Sequence, residues 1–271
     1  MGEIIEKLGL SEELFINGKL ESSRGKHESK LIGVVEVYNG LTGSKLFTFN
    51  DVILPGATYV LEQFFKKRST FAMTTLSTDL GIKADIAITQ ENLKNELTFG
   101  FVVGIGGSDS ANLIKAVKFK DKSVDTIVPL RVVPITADLS ASDQAKYALK
   151  KTVGSNYYYY AKKFDTDIVI RHLFTDGTEI PPNINETDTN LGLLVFGEMV
   201  FTISTADLRE YFINVYGNID NCRFNSIGLV TGFLDGTDYA GVRVTTKINL
   251  RDLYLSNSEN YFRFIYKLYS I

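Results

Sequence analysis

Asn225-Ser226-Ile227-Gly228-Leu229-Val230-Thr231-Gly232-Phe233-Leu234-Asp235-Gly236 decides the fold: a Gly-Leu strand runs into a tight Asp-Gly turn. Residues 242–250 return with alternating character, and the Tyr/Phe-rich residues 261–271 carry a last strand to the end of the chain. Alternation of period two puts successive side chains on opposite faces of a sheet. Nothing in this C-terminal stretch has the character of a catalytic group.

Composition points the same way. The 271 residues include 18 Phe, 14 Tyr and 22 Gly against 5 Pro and no Trp. Aromatic and β-branched residues punctuated by Gly turns favour strands over helices. The length allows one large or two small domains with a sizeable core. Apolar residues make up 44% and charged residues 23%, which is globular usage. A net charge of −3 gives no electrostatic reason to expect nucleic-acid or anionic-membrane binding. One cysteine, Cys222, excludes an intrachain disulfide and a cysteine-based zinc site. The charged residues 1–10 lack a signal-peptide core, and no apolar run approaches bilayer length. The expectation is a soluble product of a reducing cytoplasm.

Outward from the C-terminal strands, residues 1–30 open with a short amphipathic pattern (Ile4, Ile5, Leu8) and continue into the polar run 21–30. They read as a flexible arm, or as one that orders against a neighbouring subunit. Residues 31–38 and 45–50 read as paired strands around Asn39-Gly40. Pro55-Gly56 breaks the pattern and 57–67 reads as a helix. Residues 71–79 are ambiguous, and 82–88 alternate like a strand. The apolar run 97–104 reads as a strand buried on both faces, with 114–120 and 126–133 as further strands. Residues 138–150 carry a helix signature with Ser140 or Ser142 as N-cap. Residues 155–174 read as a long strand or a hairpin, the Tyr157-Tyr158-Tyr159-Tyr160 run alternating between faces. Asp176-Gly177 marks a turn, and 178–189 with Pro181 and Pro182 a loop. Residues 191–203 read as a strand, and 205–212 as a short helix capped by Ser204 or Thr205. The order does not alternate strand and helix, so a doubly wound parallel sheet is not expected. The expected fold is mainly β with inserted helices (α+β), an antiparallel β-sandwich or barrel-like core. In domain terms, an arm (1–30) precedes one β-rich unit (31–271), with a subdivision near 138–190 as the alternative.

No motif supplies catalytic machinery. The glycines of Gly104-Ile105-Gly106-Gly107-Ser108-Asp109 lack the Lys of a phosphate loop, and Asp109 stands where a dinucleotide fingerprint needs its third Gly. The stretch reads as a turn leaving a buried strand. His27 lies in the polar arm, and His172 follows Arg171 on an expected strand. No Gly-x-Ser-x-Gly elbow supports a Ser-His-Asp triad. Arg223 stands next to Cys222 and could activate it, although a lone cysteine is usually inert. Asn183, Asn185, Asp188 and Asn190 offer oxygens to calcium but lack EF-hand spacing. The Asn185-Glu186-Thr187 sequon has meaning only in a secreted chain. Tyr158 and Tyr160 offer rings that stack on sugars or bases. The expectation is no catalytic residue, no metal and no cofactor, and a binding or assembly role instead of an enzyme.

Several segments resemble virion structural proteins of tailed bacteriophages, in particular neck, collar and tail-associated proteins of large contractile-tailed phages. Phe99-Gly100-Phe101-Val102-Val103-Gly104-Ile105-Gly106-Gly107 leads through 117–121 into Ile127-Val128-Pro129-Leu130-Arg131-Val132-Val133. This resembles a strand with a Gly-x-Gly-Gly turn, followed by a strand with a central Pro-x-Arg. Val35-Glu36-Val37-Tyr38-Asn39-Gly40 and residues 50–64 resemble the opening strand and lone helix of such proteins. Asn225–Leu229 resembles their Asn-Glu-Ile-Gly-Leu strand, with Ser226 where an acidic residue is commoner. The resemblance leaves out residues 1–30 and 140–190.

It implies a β-sandwich subunit in a ring around the tail axis, at the head–tail connector, collar, neck or tail terminator. Its partners would be neighbouring copies of itself and portal, connector or tail proteins of the virion. DNA would pass through the lumen without specific recognition, and no membrane is involved. The interface residues expected are Arg24 and His27 in the arm, Gly104, Gly106, Gly107 and Asp109 in the glycine turn, Tyr158 and Tyr160, and Asn185 and Asp188 in the loop. The alternative is a baseplate or receptor-binding module, with the tyrosines and the Asn/Asp-rich loop facing a host glycan. An enzyme with an unrecognised site, built on His172, Cys222 or a carboxylate pair, is the third reading.

Overall fold

Antiparallel pairing of long aromatic strands builds the molecule. The computed structural model describes residues 31–52, 54–65, 67, 75–82, 92–105, 126–173, 179–180, 194–220, 222–236, 238–255 and 261–270. The strands are β1 Leu31–Asn39, β2 Lys45–Val52, β3 Leu97–Ile105, β4 Thr126–Val128, β5 Arg131–Pro134, β6 Tyr147–Val153 and β7 Asn156–Lys163. They continue with β8 Val169–Leu173, β9 Glu179–Ile180, β10 Leu194–Ser204, β11 Arg223–Asp235, β12 Asp238–Tyr254 and β13 Tyr261–Ser270. Among the described residues four α-helices are inserted: α1 Leu54–Phe65, α2 Leu76–Asp79, α3 Ala141–Gln144 and α4 Thr205–Tyr216.

The strands follow one path, β5-β7-β3-β11-β12-β2-β1-β13-β10-β8-β9, with β4 on β3 and β6 on β7. The path folds at β2, whose residues 45–49 pair with β1 and 50–52 with β12. Among the described strands it does not close on itself, so they form a sandwich and not a closed barrel. In one sheet Val37, Phe264 and Phe201 stand in register, as do Val35, Tyr266 and Met199. These rows meet Phe101, Val103, Ile227, Leu229, Ile248 and Leu250 of the other sheet. Phe101 stacks on Phe201 across the interface at 4.4 Å between ring centroids, and Phe224 meets Phe262 edge-on at 5.9 Å. Each buried Phe contributes about 1.5–3 kcal/mol relative to exposure.

The second sheet is buried on its outer face as well. There Leu76 of α2 packs with Val102, Ala148, Leu149, Tyr160, Val230, Val242 and Val244. Two bulges set which side chain goes where. Val242, Val244, Ile248 and Leu250 are all even-numbered, yet the first pair faces outward and the second inward. The register steps from Leu229↔Thr246 to Val230↔Val244, so Thr245 is the extra residue that inverts the phase. In β3 the step from Val230↔Gly100 to Thr231↔Thr98 leaves Phe99 bulged. Phe99 thereby joins the outer cluster and stacks on Tyr239 at 3.6 Å.

Several expectations are corrected. Only α3, a single turn capped by Ser140 accepting from the Asp143 N–H, forms within 138–150. Residues from Tyr147 onward are β6, because pairing with β7 buries Ala148 and Leu149 and outweighs the helix propensity of the stretch. Residues 155–174 are neither one strand nor a hairpin: β7 belongs to one sheet and β8 to the other, and the hairpin partner of β7 is β6. Residues 126–133 divide at Pro129-Leu130 into β4 on β3 and β5 on β7. Pro55-Gly56 does not precede the helix but sits in the first turn of α1, where proline is tolerated because its missing N–H has no partner to lose. Glu179–Ile180 pairs with β8 inside the expected loop. The strands expected at 82–88 and 114–120, the arm 1–30 and the turn at Asp176-Gly177 fall on or run into residues outside those described. The C-terminal hairpin stands as read, with Asp235 opposite Asp238, and Ser204 precedes α4, which extends to Tyr216.

Candidate functional site

Where the inner face of β12 runs past the apolar core, Thr245 having reset its phase, Arg243 points under α1. It is 2% exposed. Its Nη2 donates to Glu96 Oε1 at 2.6 Å and to Glu62 Oε2 at 3.1 Å, and its Nε donates to Glu96 at 3.1 Å. Glu62 comes from α1 and Glu96 from the residue before β3, both buried. Thr231, opposite Arg243 on β11, donates its hydroxyl to Glu96 at 3.4 Å. Burial, against a hydrogen bond with Thr98, pushes the Tyr59 phenol above its ordinary value, and the Arg243 guanidinium lies 5.9 Å from the Tyr59 ring centroid. Arg243 Nη1 has no hydrogen-bond partner. A guanidinium shared by two carboxylates neutralises charge that would otherwise be costly to bury. Its chemistry is that of an anchor, tying α1 and the start of β3 to β12.

A second network lies at the start of α4. Asp207 accepts from the Ser204 N–H at 2.9 Å and the Ser204 hydroxyl at 2.8 Å, the acidic half of a capping box. The same carboxylate receives Lys162 of β7 at 3.0 Å and the Tyr147 hydroxyl of β6 at 2.8 Å. Burial first, and then the charge of Asp207, push the Tyr147 phenol far above its ordinary value. A third group is half-exposed: Asp138 accepts from Lys150 at 2.6 Å and from Tyr159 at 2.7 Å. Burial opposes ionisation of Asp138, but Lys150, Tyr159 and the Leu139 N–H outweigh it and hold its carboxyl below the ordinary 3.8. Lys150 also lies 3.7 Å over the Tyr157 ring.

Of the residues expected at an interface, Gly104, Tyr158 and Tyr160 are described. Gly104 is not part of a turn. It is a buried residue of β3, opposite Ser226 of β11 and Ile127 of β4. Tyr158 and Tyr160 share a face of β7 with rings 6.4 Å apart. Tyr158 is half-buried, while Tyr160 is 9% exposed within the outer cluster. Arg24, His27, Gly106, Gly107, Asp109, Asn185 and Asp188 lie outside the described residues, as do Asn183 and Asn190.

His172 sits on β8 opposite Val195, in the first sheet. Cys222 is fully buried, and burial pushes its thiol up to about 12; it is a protonated core residue. Arg223 turns to the Tyr254 hydroxyl and the Asp252 carboxylate. Among the described residues no three His, Cys, Asp or Glu side chains are grouped to hold a metal ion, and no helix is long and apolar enough to cross a membrane.

Sequence reasoning missed the Arg243 cluster entirely. The one available signal was Arg243 and Lys247 inside the expected strand 242–250, whose other residues are uncharged.

Comparison of the chain with protein-family models, with curated proteins and with solved structures finds no match.

Proposed function

We propose that this chain is a structural protein of a tailed-phage virion, a subunit of a ring at the neck, collar, head–tail connector or tail terminator, working by subunit packing and not by catalysis. One observation carries the reading. Three of the separate segments whose residues resemble such proteins are hydrogen-bonded neighbours: β3 lies between β11 and β4, and β5 continues from β4 along β7. The resemblance of residues 99–105, 127–133 and 225–229 thus converges on described strands of one sheet, while the resembling residues 35–39 form β1 in the other; the first group supports a structural unit. The sandwich itself suits a ring subunit, because a rigid two-sheet body can present the same two faces to each neighbour around a cyclic axis. In this reading the contacts to neighbouring copies and to portal or tail proteins run through residues 21–30, 106–109 and 178–190. DNA passes through the lumen unread, and the chain, made in the host cytoplasm, ends in the particle.

Negative-stain electron microscopy and sedimentation of the recombinant chain, alone and co-expressed with the other neck and tail proteins of its phage, test this. Annular particles, or incorporation into a ring with those proteins, are expected. A chain that stays monomeric and binds none of them contradicts the proposal.

A further inference from the structure

We draw no further inference here: the strongest candidate, the outward face of α1, where Val60, Leu61 and Phe65 are exposed, carries nothing because nothing in the structure shows what covers it.

Discussion

Gly100 shows how little room the central strands leave. A Cβ there would lie 2.2 Å from the Lys162 carbonyl oxygen of β7, a backbone atom that cannot swing aside. Gly100→Ala is therefore expected to destabilise the protein by about 1–3 kcal/mol, the range for overpacking. Urea unfolding followed by tyrosine fluorescence measures it, and an unchanged midpoint would contradict the packing of β3 against β7. Cys222 makes a different statement at the same scale. Its thiol is buried and raised to about 12, so a thiol reagent at neutral pH is expected to leave the native protein unlabelled and to label it once unfolded. Asp138 gives a pH signature. Its carboxyl is held below the ordinary 3.8 when folded, so its contribution to stability is present above that pH and is lost as pH falls through the lower folded value. Asp138→Asn should be less stable than the parent at neutral pH, and the gap should narrow below about pH 4. A gap independent of pH would mean that the Lys150 and Tyr159 contacts do not act through the carboxylate charge. Leu149 is the one described non-glycine residue with left-handed backbone, at φ 58°. Such strain costs about 1–3 kcal/mol, and its N–H donates to Asp238 at 3.3 Å.

At the scale of elements, legibility followed locality. The β11–β12 hairpin was readable because its signal is short-range: apolar runs on either side of Asp235-Gly236. So was α4, whose cap and acidic N3 residue, Ser204 and Asp207, lie three positions apart. β6 was not. Ala141, Gln144, Ala145, Ala148 and Leu149 are helix formers behind a genuine Ser140 cap, and only the partner strand β7 decides against a longer helix. The bulges at Phe99 and Thr245 were invisible for the same reason, since a bulge exists only relative to a partner. The Arg243 cluster is the extreme case: Arg243 is 147 residues from Glu96 and 181 from Glu62. Its energetics belong to the elements it joins. Arg243→Met alone removes the guanidinium that the two buried carboxylates share and should cost about 3–5 kcal/mol. Adding Glu62→Gln and Glu96→Gln to Arg243→Met should recover part of that loss. Denaturation of the single and triple variants tests this, and simple additivity of the replacements would show that the three groups do not act as one network.

At the scale of the whole molecule, β2 joins the two sheets, β3 and β11 run through the middle of one of them, and a core of stacked phenylalanines lies between the two. The composition made a β-rich fold legible. The pairing order of the strands was not, because it depends on contacts far apart in the sequence. Among the interface residues expected from sequence, Gly104 and Tyr160 are interior, so substitutions there would register as lost packing before they registered as lost assembly. The assembly reading is better probed in the particle than in the isolated chain. The most direct measurement is immunogold electron microscopy of particles purified from the source of this chain, intact and disrupted, with antibody against the recombinant protein. The account predicts label at the head–tail junction or along the tail tube end that adjoins it. Absence of label from both intact and disrupted particles would contradict it.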